Sequence, residues 1–587
     1  MAKDSLLSDS IFGHDDSIAL AKKFIRKCPK NNIYISRLCD ELKLIVSKNL
    51  ANNIFRVCEI LELIHDIPHI IRGSSGSSLV CYLLGITNID PIKENISFSR
   101  FLNKYRNKLP DFDIDIPHNK HDIAFARISK KWNSKVARIS NHVCYGEKGA
   151  KKKAEKVLGL SKKKALNDSE KELVLAKKTE YLGKFKNYSL HCGGIIFFKD
   201  DIPDDLLIKK KKPDVINQIK YNKDDIEQKG FFKIDILSNR GLTQLFNIQK
   251  TPVEDYKEDE LVFNSLQDGK NIGITFAESP GMRKVFITNK PKSIMDLAKC
   301  LAIIRPMAND VKIYDDVGSA SKVDSLVFDD DAIFYIMKKS GCDEGIADKF
   351  RRAFAKGDWK IINQFGWLIK DDPDKEKVKK KLLNLKKYSF CKSHAISYAK
   401  LVYALAYHKV FNPKKFWVST INISQSMYRQ WVHYREAKLA GLKICLGGWP
   451  YRLSIDESQL VALNKINADD ESLDTKYQFE KYGYWIQDDF YPGCKIKVIN
   501  KDTNLVEFNG LIACSRWCRK WINNKYNYYT YLTIGYKNGL YIDLKIKDKW
   551  LSIKKYNLIT GNGIFKEICA KNHFGMINVN DFTLKIN

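Results

Sequence analysis

The sequence lacks the features of secreted, zinc-stabilised and membrane-spanning proteins. Its 14 cysteines form no C-x-x-C pair, which is the usual ligand spacing of structural zinc sites. No apolar run approaches the roughly 18 residues of a transmembrane helix, and the first ten residues contain no apolar core or cleavage site of a secretion signal. We therefore expect an intracellular, cytoplasmic protein without disulfides, structural zinc or a membrane partner.

Acidic residues are scarce relative to basic ones, with 69 Asp and Glu against 100 Lys and Arg and a net charge of +31. This excess is larger than solubility requires and favours a polyanionic partner. Hydrophobic residues make up 44% of the chain, which excludes wholesale disorder. At about 150 residues per domain, the chain is long enough for about four compact domains.

A lysine-rich segment, residues 147–186, predicts a pair of helices inserted in a larger domain. Its lysine clusters are interleaved with apolar residues that predict a helical stripe, namely Val157, Leu158, Leu160, Leu173 and Leu175. One interpretation is a solvated face. The other is a folded element that presents lysines to DNA phosphates, namely Lys151, Lys152 and Lys153.

Strand patterns flank this segment on both sides. Phe112 and Ile114 alternate with aspartates, residues 193–198 form an apolar run after two glycines, and residues 231–237 alternate again. These segments predict strands of one sheet.

Helical patterns dominate residues 241–447, including a long helix from Ser393 to His408. The rest of the chain turns to short β patterns, which predict a small barrel with strands at 494–499, 505–514, 528–536 and 540–546 and a hairpin turn at Asn538-Gly539. A loop at 516–521 mixes cations with aromatics, as single-strand-binding barrels do, and supplies Arg516, Trp517, Arg519 and Trp521 as candidate DNA contacts. The alternative is that these tryptophans cap one end of the barrel.

The candidate catalytic residues of the chain are aspartates. In residues 110–116 the strand period places Asp111, Asp113 and Asp115 on one face, which is costly unless cations lie against it. Closely spaced carboxylates are what Mg²⁺ binds, and a second alternating strand ends in Lys233-Ile-Asp235. Two metals held by three carboxylates can activate a hydroxyl and stabilise a leaving oxygen.

Upstream, a glycine-serine turn at residues 72–78 leads into an apolar helix that begins at Leu79. Its backbone N–H groups, its hydroxyls and the helix N-terminus predict a binding place for a triphosphate. Together with the carboxylates, this turn predicts a nucleotidyltransferase.

The residues that carry this prediction resemble the palm of the bacterial DNA polymerase III alpha subunit, family C. The resemblance lies in residues 72–91, 100–103 and 110–115, and further blocks follow in the family's order at 191–195, 233–237, 276–283, 305–306, 347–353 and 392–398. A collinear series of motifs is far more specific than any single motif.

The resemblance implies roles for individual residues. Asp111, Asp113 and Asp235 would be the catalytic ligands of two Mg²⁺ ions, with Mn²⁺ as a substitute. The residues implied to bind the incoming nucleotide are Gly73, Ser74, Arg100, Lys233, Arg351, Arg352, Lys392 and His394, although His394 also fits a core histidine.

The resemblance also implies the architecture, an α+β multidomain fold. A nucleotidyltransferase palm, residues 1–142 and 187–240, would contain a helical thumb at 143–186, followed by α-helical fingers at 241–450, a reduced linker region at 451–490 and an OB-like barrel at 491–587. The family's amino-terminal phosphoesterase domain is missing, so a shortened, viral or mobile-element form is expected.

The implied function is DNA-templated extension of a primer from dNTPs. The alternatives are a template-independent or repair-type nucleotidyltransferase and a non-catalytic nucleic-acid-binding relative. The expected partners are primer–template DNA, a separate proofreading exonuclease and a sliding clamp. Gln487, Phe490 and Tyr491 resemble the family's clamp-binding motif, and the alternative is a linker whose aromatic residues pack on the barrel.

Overall fold

The computed structural model describes residues 27–106, 109–161, 165–209, 215–304, 326–383, 390–423, 426–442, 494–522, 525–536, 540–547, 557–569 and 574–585, with single residues 385, 477, 479, 551 and 553. Two compact units divide the chain, residues 1–238 and 239–587. No helix in the described ranges is long and apolar enough to cross a membrane. The expected mixed architecture of sheets and helices is confirmed.

The first unit is built on a sheet. The strands described in this unit are β1 (Ile70–Arg72), β2 (Phe112–Pro117), β3 (Val136–Cys144), β4 (Phe185–Phe197) and β5 (Ile234–Asn239). The strand order is β1-β2-β5-β4-β3, so β2 and β5 are neighbours. The helices are α1 (Asn32–Ser47), α2 (Ala51–Leu63), α3 (Leu79–Leu83), α4 (His121–Trp132), α5 (Glu147–Val157), α6 (Asp168–Tyr181) and α7 (Lys223–Gln228).

Alternation along β2 explains how the sheet positions charged residues. Phe112, Ile114 and Ile116 are fully buried in the core of the unit. Asp113 lies on the other face, as the period of two predicts. The three predicted strand segments all belong to this one sheet, which confirms that prediction.

The inserted helical pair is also confirmed, as α5 and α6, but the predicted apolar stripe is wrong. Val157, Leu173 and Leu175 are about half exposed. The buried residues of the pair are instead Ala150, Ala154 and Val174, whose small side chains let the two helices approach closely.

Helices form the first part of the second unit. In the described residues they are α8 (Arg240–Ile248), α9 (Glu260–Gln267), α10 (Pro280–Asn289), α11 (Ile294–Ile303), α12 (Asp329–Ser340), α13 (Glu344–Lys356), α14 (Trp359–Leu368), α15 (Lys375–Leu383), α16 (Lys392–Phe411), α17 (Pro413–Ile423) and α18 (Gln430–Leu439). The long helix predicted before Asn412-Pro413 is confirmed as α16.

A second sheet follows, with strands β6 (Lys495–Asn500), β7 (Leu505–Ile522), β8 (Lys525–Tyr536), β9 (Leu540–Lys547), β10 (Leu558–Cys569) and β11 (Phe574–Lys585). Pairing runs from β7 through β8, β9, β11 and β10 and returns to β7, so the sheet closes on itself. The β9–β11 pair is parallel. The predicted small barrel is therefore present, with two strands that the sequence reading did not specify.

The segment 516–521, predicted as a loop, is instead part of strand β7. It pairs with β8 in continuous register, from Trp517 opposite Thr530 to Trp521 opposite Tyr526. Alternating residues with high strand propensity on both sides extend the hairpin beyond the barrel.

The barrel packs on the helices of the same unit through buried polar residues. The ring of Tyr541 lies between two guanidinium groups, with Arg283 at 5.1 Å and Arg435 at 5.2 Å from its centroid. The Tyr541 hydroxyl donates to Glu436 (2.9 Å), and Arg283 donates to the Tyr428 hydroxyl (2.8 Å). Buried polar groups that satisfy one another in this way fix one docking geometry.

Candidate active site

Asp113 and Asp235 bring two carboxyl groups together on the neighbouring strands β2 and β5. The groups lie within hydrogen-bonding reach of each other. Burial and the Asp235 charge raise the pKa of Asp113 to about 7, although Lys233 and Arg72 oppose the shift. Two carboxylates placed this closely repel each other unless a proton or a cation lies between them.

Lys233 is the cation nearest to this pair. Its ammonium group donates to Asp235 Oδ2. Burial by itself would lower the pKa of Lys233, but the charges of Asp235, Asp111 and Asp113 raise it. All three predicted metal ligands therefore contribute to the charge environment of one buried lysine, and Asp235 contacts it directly. Asp111 and Lys233 also line a pocket of about 100 Å³ beside helix α7.

Arg72 and Asp115 form a second ion pair behind Asp113. Arg72 Nε lies 3.4 Å from Asp115 Oδ1 and 4.0 Å from Asp113 Oδ2. Asp115 is only 2% exposed. The arginine therefore neutralises the carboxylate ladder on β2, a role that the sequence reading did not assign to it. The signal was present, since Arg72 begins the glycine-serine motif.

The glycine-serine turn lies directly against the carboxylates. Gly73 has a φ of +83°, and a Cβ atom at this position would lie 3.3 Å from Asp113 Oδ2. Only glycine adopts this backbone conformation without strain. Residues Ser74–Ser77 follow as a 3₁₀ turn, so the backbone of the predicted triphosphate site adjoins the carboxylate pair.

One part of the phosphate prediction is wrong. The N-terminus of α3 is not open to a phosphate, because the N–H groups of Leu79 and Val80 donate to the buried Glu41 carboxylate. Cys81 N–H donates to Ser78 Oγ. The chain thus caps this helix with its own side chains, and Gly73 and Ser74 remain the predicted contacts.

His191 lies on β4 beside the carboxylates. Its Nδ1 accepts from the Gly194 N–H (2.9 Å) and lies 3.8 Å from Asp235 Oδ1. Burial lowers the pKa of His191. Gly193 is required beside it, since a Cβ atom there would lie 2.2 Å from the carbonyl oxygen of Ile236.

The site fits the expected Mg²⁺. Asp235 Oδ1 is buried and accepts no hydrogen bond from the described residues. The Asp235 carboxylate also lies beside that of Asp113, and a cation between two like charges relieves their repulsion. No group of three His, Cys, Asp or Glu side chains in the described ranges is arranged to hold a metal ion. Mg²⁺ in nucleotide sites typically uses one or two carboxylates together with substrate phosphates, so this donor set is sufficient.

Mg²⁺ binding is expected to depend on pH. Because the pKa of Asp113 is raised to about 7, Mg²⁺ must displace a proton below that pH. We expect affinity to fall about tenfold from about pH 8 to about pH 6, with proton release on binding. Calorimetric titration with Mg²⁺ measures both quantities. An unchanged affinity across this interval would contradict the prediction, and Asp113→Asn serves as the control without this dependence.

The predicted nucleotide contacts of the second unit lie on α13 and α16. Arg351 is buried and donates to Asp348 (2.9 Å) and Asp329 (3.0 Å). Its guanidinium thus holds α12 and α13 together, and its nucleotide role stays a prediction. Arg352 is partly exposed and donates to Asp348 (2.7 Å).

Lys392 and His394 occupy the first turn of α16. Lys392 is buried. The His394 ring lies 5.0 Å from the ring of Phe390 and 4.8 Å from that of Tyr398, between centroids. This aromatic packing agrees with a core histidine, and the nucleotide role of both residues stays a prediction.

The predicted clamp-binding residues Gln487, Phe490 and Tyr491 lie outside the described residues, as does the predicted turn Asn538-Gly539. Arg100 ends a short 3₁₀ turn, Phe98–Arg100, in the first unit.

Comparison with known proteins decides the family. The model of the bacterial DNA polymerase III alpha NTPase domain matches residues 17–180 and 161–238. The model of the alpha subunit finger domain matches residues 234–366. Together these matches cover more than half of the chain. The chain belongs to the bacterial DNA polymerase III alpha family.

Its relatives in this family include named polymerases. A DNA polymerase III subunit alpha of Ureaplasma parvum is 27% identical over 459 residues, which cover 66% of this chain and 46% of that protein. One from Thermotoga maritima is 28% identical, with 66% and 47% covered. An error-prone DNA polymerase of Idiomarina loihiensis is 27% identical, with 60% and 40% covered. The chain spans less than half the length of each relative.

Proposed function

We propose that the chain is a DNA-templated DNA polymerase that extends a primer by nucleotidyl transfer from dNTPs and releases pyrophosphate. The observation that carries the proposal is the Asp113–Asp235 pair against the Gly73 turn, in a chain of the polymerase III alpha family. Asp111, Asp113 and Asp235 would hold two Mg²⁺ ions. Bound there, Mg²⁺ supplies activation of the primer hydroxyl and stabilisation of the leaving oxygen.

The surrounding residues have complementary tasks. Gly73 and Ser74 would contact the triphosphate through their backbone, and Arg100 is proposed to contact it by side chain. Lys233 keeps the Asp235 carboxylate oriented and exchanges this partner for nucleotide phosphate when substrate binds. Positive charge fixed in place before the reaction stabilises charge that develops on phosphate oxygens.

The domain assignment is proposed on the same basis. Residues 1–142 and 187–240 would form the palm, 143–186 the thumb, 241–450 the fingers, 451–490 a linker region and 491–587 an OB-like barrel. The closed strand order of the barrel, with one parallel pair, supports the last assignment.

The thumb assignment predicts a salt effect. Replacing Lys151, Lys152 and Lys153 on α5 with glutamine should weaken primer–template binding. Because each phosphate contact releases counterions, the slope of log K against log salt concentration should become less steep by up to about 2.7. Fluorescence anisotropy at several salt concentrations measures the slope. Lys171 and Lys177 on α6 are the controls because they lie outside the cluster and pair closely with acidic neighbours, at 2.7 and 2.8 Å, whereas Lys151 lies 3.8 Å from Glu155. An unchanged slope would favour the other interpretation, in which the lysine cluster is a solvated face without DNA contacts.

The hairpin of β7 and β8 is proposed to bind single-stranded template. One face carries exposed aromatic residues, with Trp517 58%, Tyr526 50% and Tyr528 44% exposed. Arg519 and Trp521 follow Trp517 at alternate positions of the strand. Arg516 lies on the other face, 5.0 Å from the Tyr531 ring centroid, so it supports the hairpin rather than the stacking face.

Primer extension in Mg²⁺, with and without a template strand, tests the proposed function. A templated polymerase extends the primer only when template is present. Extension without template would favour the template-independent transferase, and DNA binding without extension would favour the non-catalytic relative. A sliding clamp, held through Gln487, Phe490 and Tyr491, and a separate exonuclease remain proposed partners of the active enzyme.

A further inference from the structure

A buried ion pair on α1 holds two segments of the candidate nucleotide site. Glu41 is fully buried. Its carboxylate accepts from Arg37 Nε (2.7 Å), Ser78 Oγ (2.7 Å), Leu79 N (2.9 Å) and Val80 N (3.1 Å). These hydrogen bonds fix the end of the glycine-serine turn and the start of α3.

Arg37 extends the same pair to a second segment. Its Nη2 donates to the carbonyl oxygens of Ser77 (3.0 Å) and Ile96 (3.2 Å). Its guanidinium also lies over the Phe98 ring, 5.4 Å from the centroid. Phe98 begins the short turn that ends at Arg100. One side chain thus ties the Gly73–Ser77 turn to the segment that carries Arg100.

A buried ion pair is a costly way to gain stability. Apolar residues of similar volume usually stabilise a core as well or better, because two charges must be removed from water. What the charges add is direction, since each of the four donors to Glu41 has one fixed acceptor. The arrangement is therefore better suited to positioning a turn than to holding α1 in place.

We propose that the Arg37–Glu41 pair is a positioning device for the phosphates of the incoming nucleotide, acting through the Gly73–Ser77 turn and the segment that carries Arg100. The proposal rests on the proposed polymerase function. It also gives the closed N-terminus of α3 a role, because Glu41 accepts from the N–H groups of Leu79 and Val80 and so fixes the helix start against the turn. Neither residue touches the reacting atoms, so both act through the segments that they hold.

Two variants test the pair. Glu41→Gln places an amide against backbone N–H donors. Arg37→Lys keeps the positive charge, but its single ammonium group cannot donate to Glu41, Ser77 and Ile96 together. It is the milder change and provides the test if the Glu41→Gln protein does not fold. A displaced turn should raise KM for dNTP about tenfold or more while kcat changes about threefold or less. The Kd for dNTP in a complex with a dideoxy-terminated primer should rise in parallel, with primer–template affinity unchanged.

Two control variants separate positioning from general loosening. Asp40→Asn changes an exposed charge on the same helix. Glu59→Gln breaks an arginine pair on α2, where Arg56 lies 2.8 Å away, without touching the turn. Both should leave the Kd for dNTP unchanged. An unchanged Kd for dNTP in Glu41→Gln and Arg37→Lys would refute the positioning role of the pair and leave the proposed polymerase function standing. An equal rise of this Kd in Glu59→Gln would do the same. Absence of dNTP binding by the wild-type protein would refute the proposed polymerase function, and the positioning role with it.

Discussion

Replacing Asp113 or Asp235 with asparagine is expected to abolish nucleotide incorporation, by about a thousandfold or more, while primer–template affinity stays close to that of the wild type. The carboxylates act on the chemistry, whereas DNA binding depends on basic residues spread over the chain. Single-turnover incorporation measures the first effect and anisotropy the second. Near-normal turnover in both variants would rule out the pair as the catalytic centre.

The two variants also allow a prediction about thermal stability. Because Asp113 and Asp235 repel each other when both are ionised, Asp113→Asn should raise the melting temperature in the absence of Mg²⁺. Asp235→Asn should lower it, because this change also removes the carboxylate that pairs with the buried Lys233 ammonium. Asp115→Asn is the matched control. This carboxylate pairs with Arg72 in the core, so its loss should lower the melting temperature and reduce the rate much less.

Arg351→Ala is expected to destabilise the second unit by about 3–5 kcal/mol, because it removes the buried guanidinium that joins the Asp348 and Asp329 carboxylates. Denaturant unfolding of the complete chain measures the effect. Arg352→Ala is the control, since this partly exposed neighbour pairs with the same Asp348 and should cost about 1 kcal/mol or less. A stable Arg351→Ala protein with impaired dNTP binding would instead restore the predicted nucleotide contact.

Local patterns predicted much of the fold. Alternation identified β2, a Pro-bounded apolar helix identified α16, and the lysine-rich insert proved to be a helical pair. These features depend on residues close in sequence, where strand and helix periods apply directly. Local sequence patterns gave a wrong prediction where strand pairing determines the structure. Residues 516–521 looked like a loop, but eleven register pairs join β7 to β8, and the last four, from Arg519 opposite Tyr528 to Ile522 opposite Lys525, lie beyond the residues of β8 that pair with β9.

The candidate site was predictable only in part. The three aspartates, Lys233 and Gly73 stood in motifs, and the structure brings Asp113 and Asp235 together, with Lys233 on Asp235. The Arg37–Glu41 pair was out of reach because Glu41 lies on an amphipathic helix with no motif and accepts from N–H donors about forty residues away in sequence. Arg351 shows what a motif does not reveal, and its nucleotide role stays a prediction. A basic residue in a motif block looked like a phosphate contact, but the fold places two acidic partners against it.

The most direct test of a templated polymerase centred on Asp113 and Asp235 is incorporation of single nucleotides in Mg²⁺. Each of the four dNTPs is supplied alone, opposite each of the four template bases, to the wild-type chain and to Asp113→Asn. The prediction is addition of only the complementary nucleotide by the wild type and no addition by the variant. Addition that ignores the template base, or equal addition by Asp113→Asn, would contradict it.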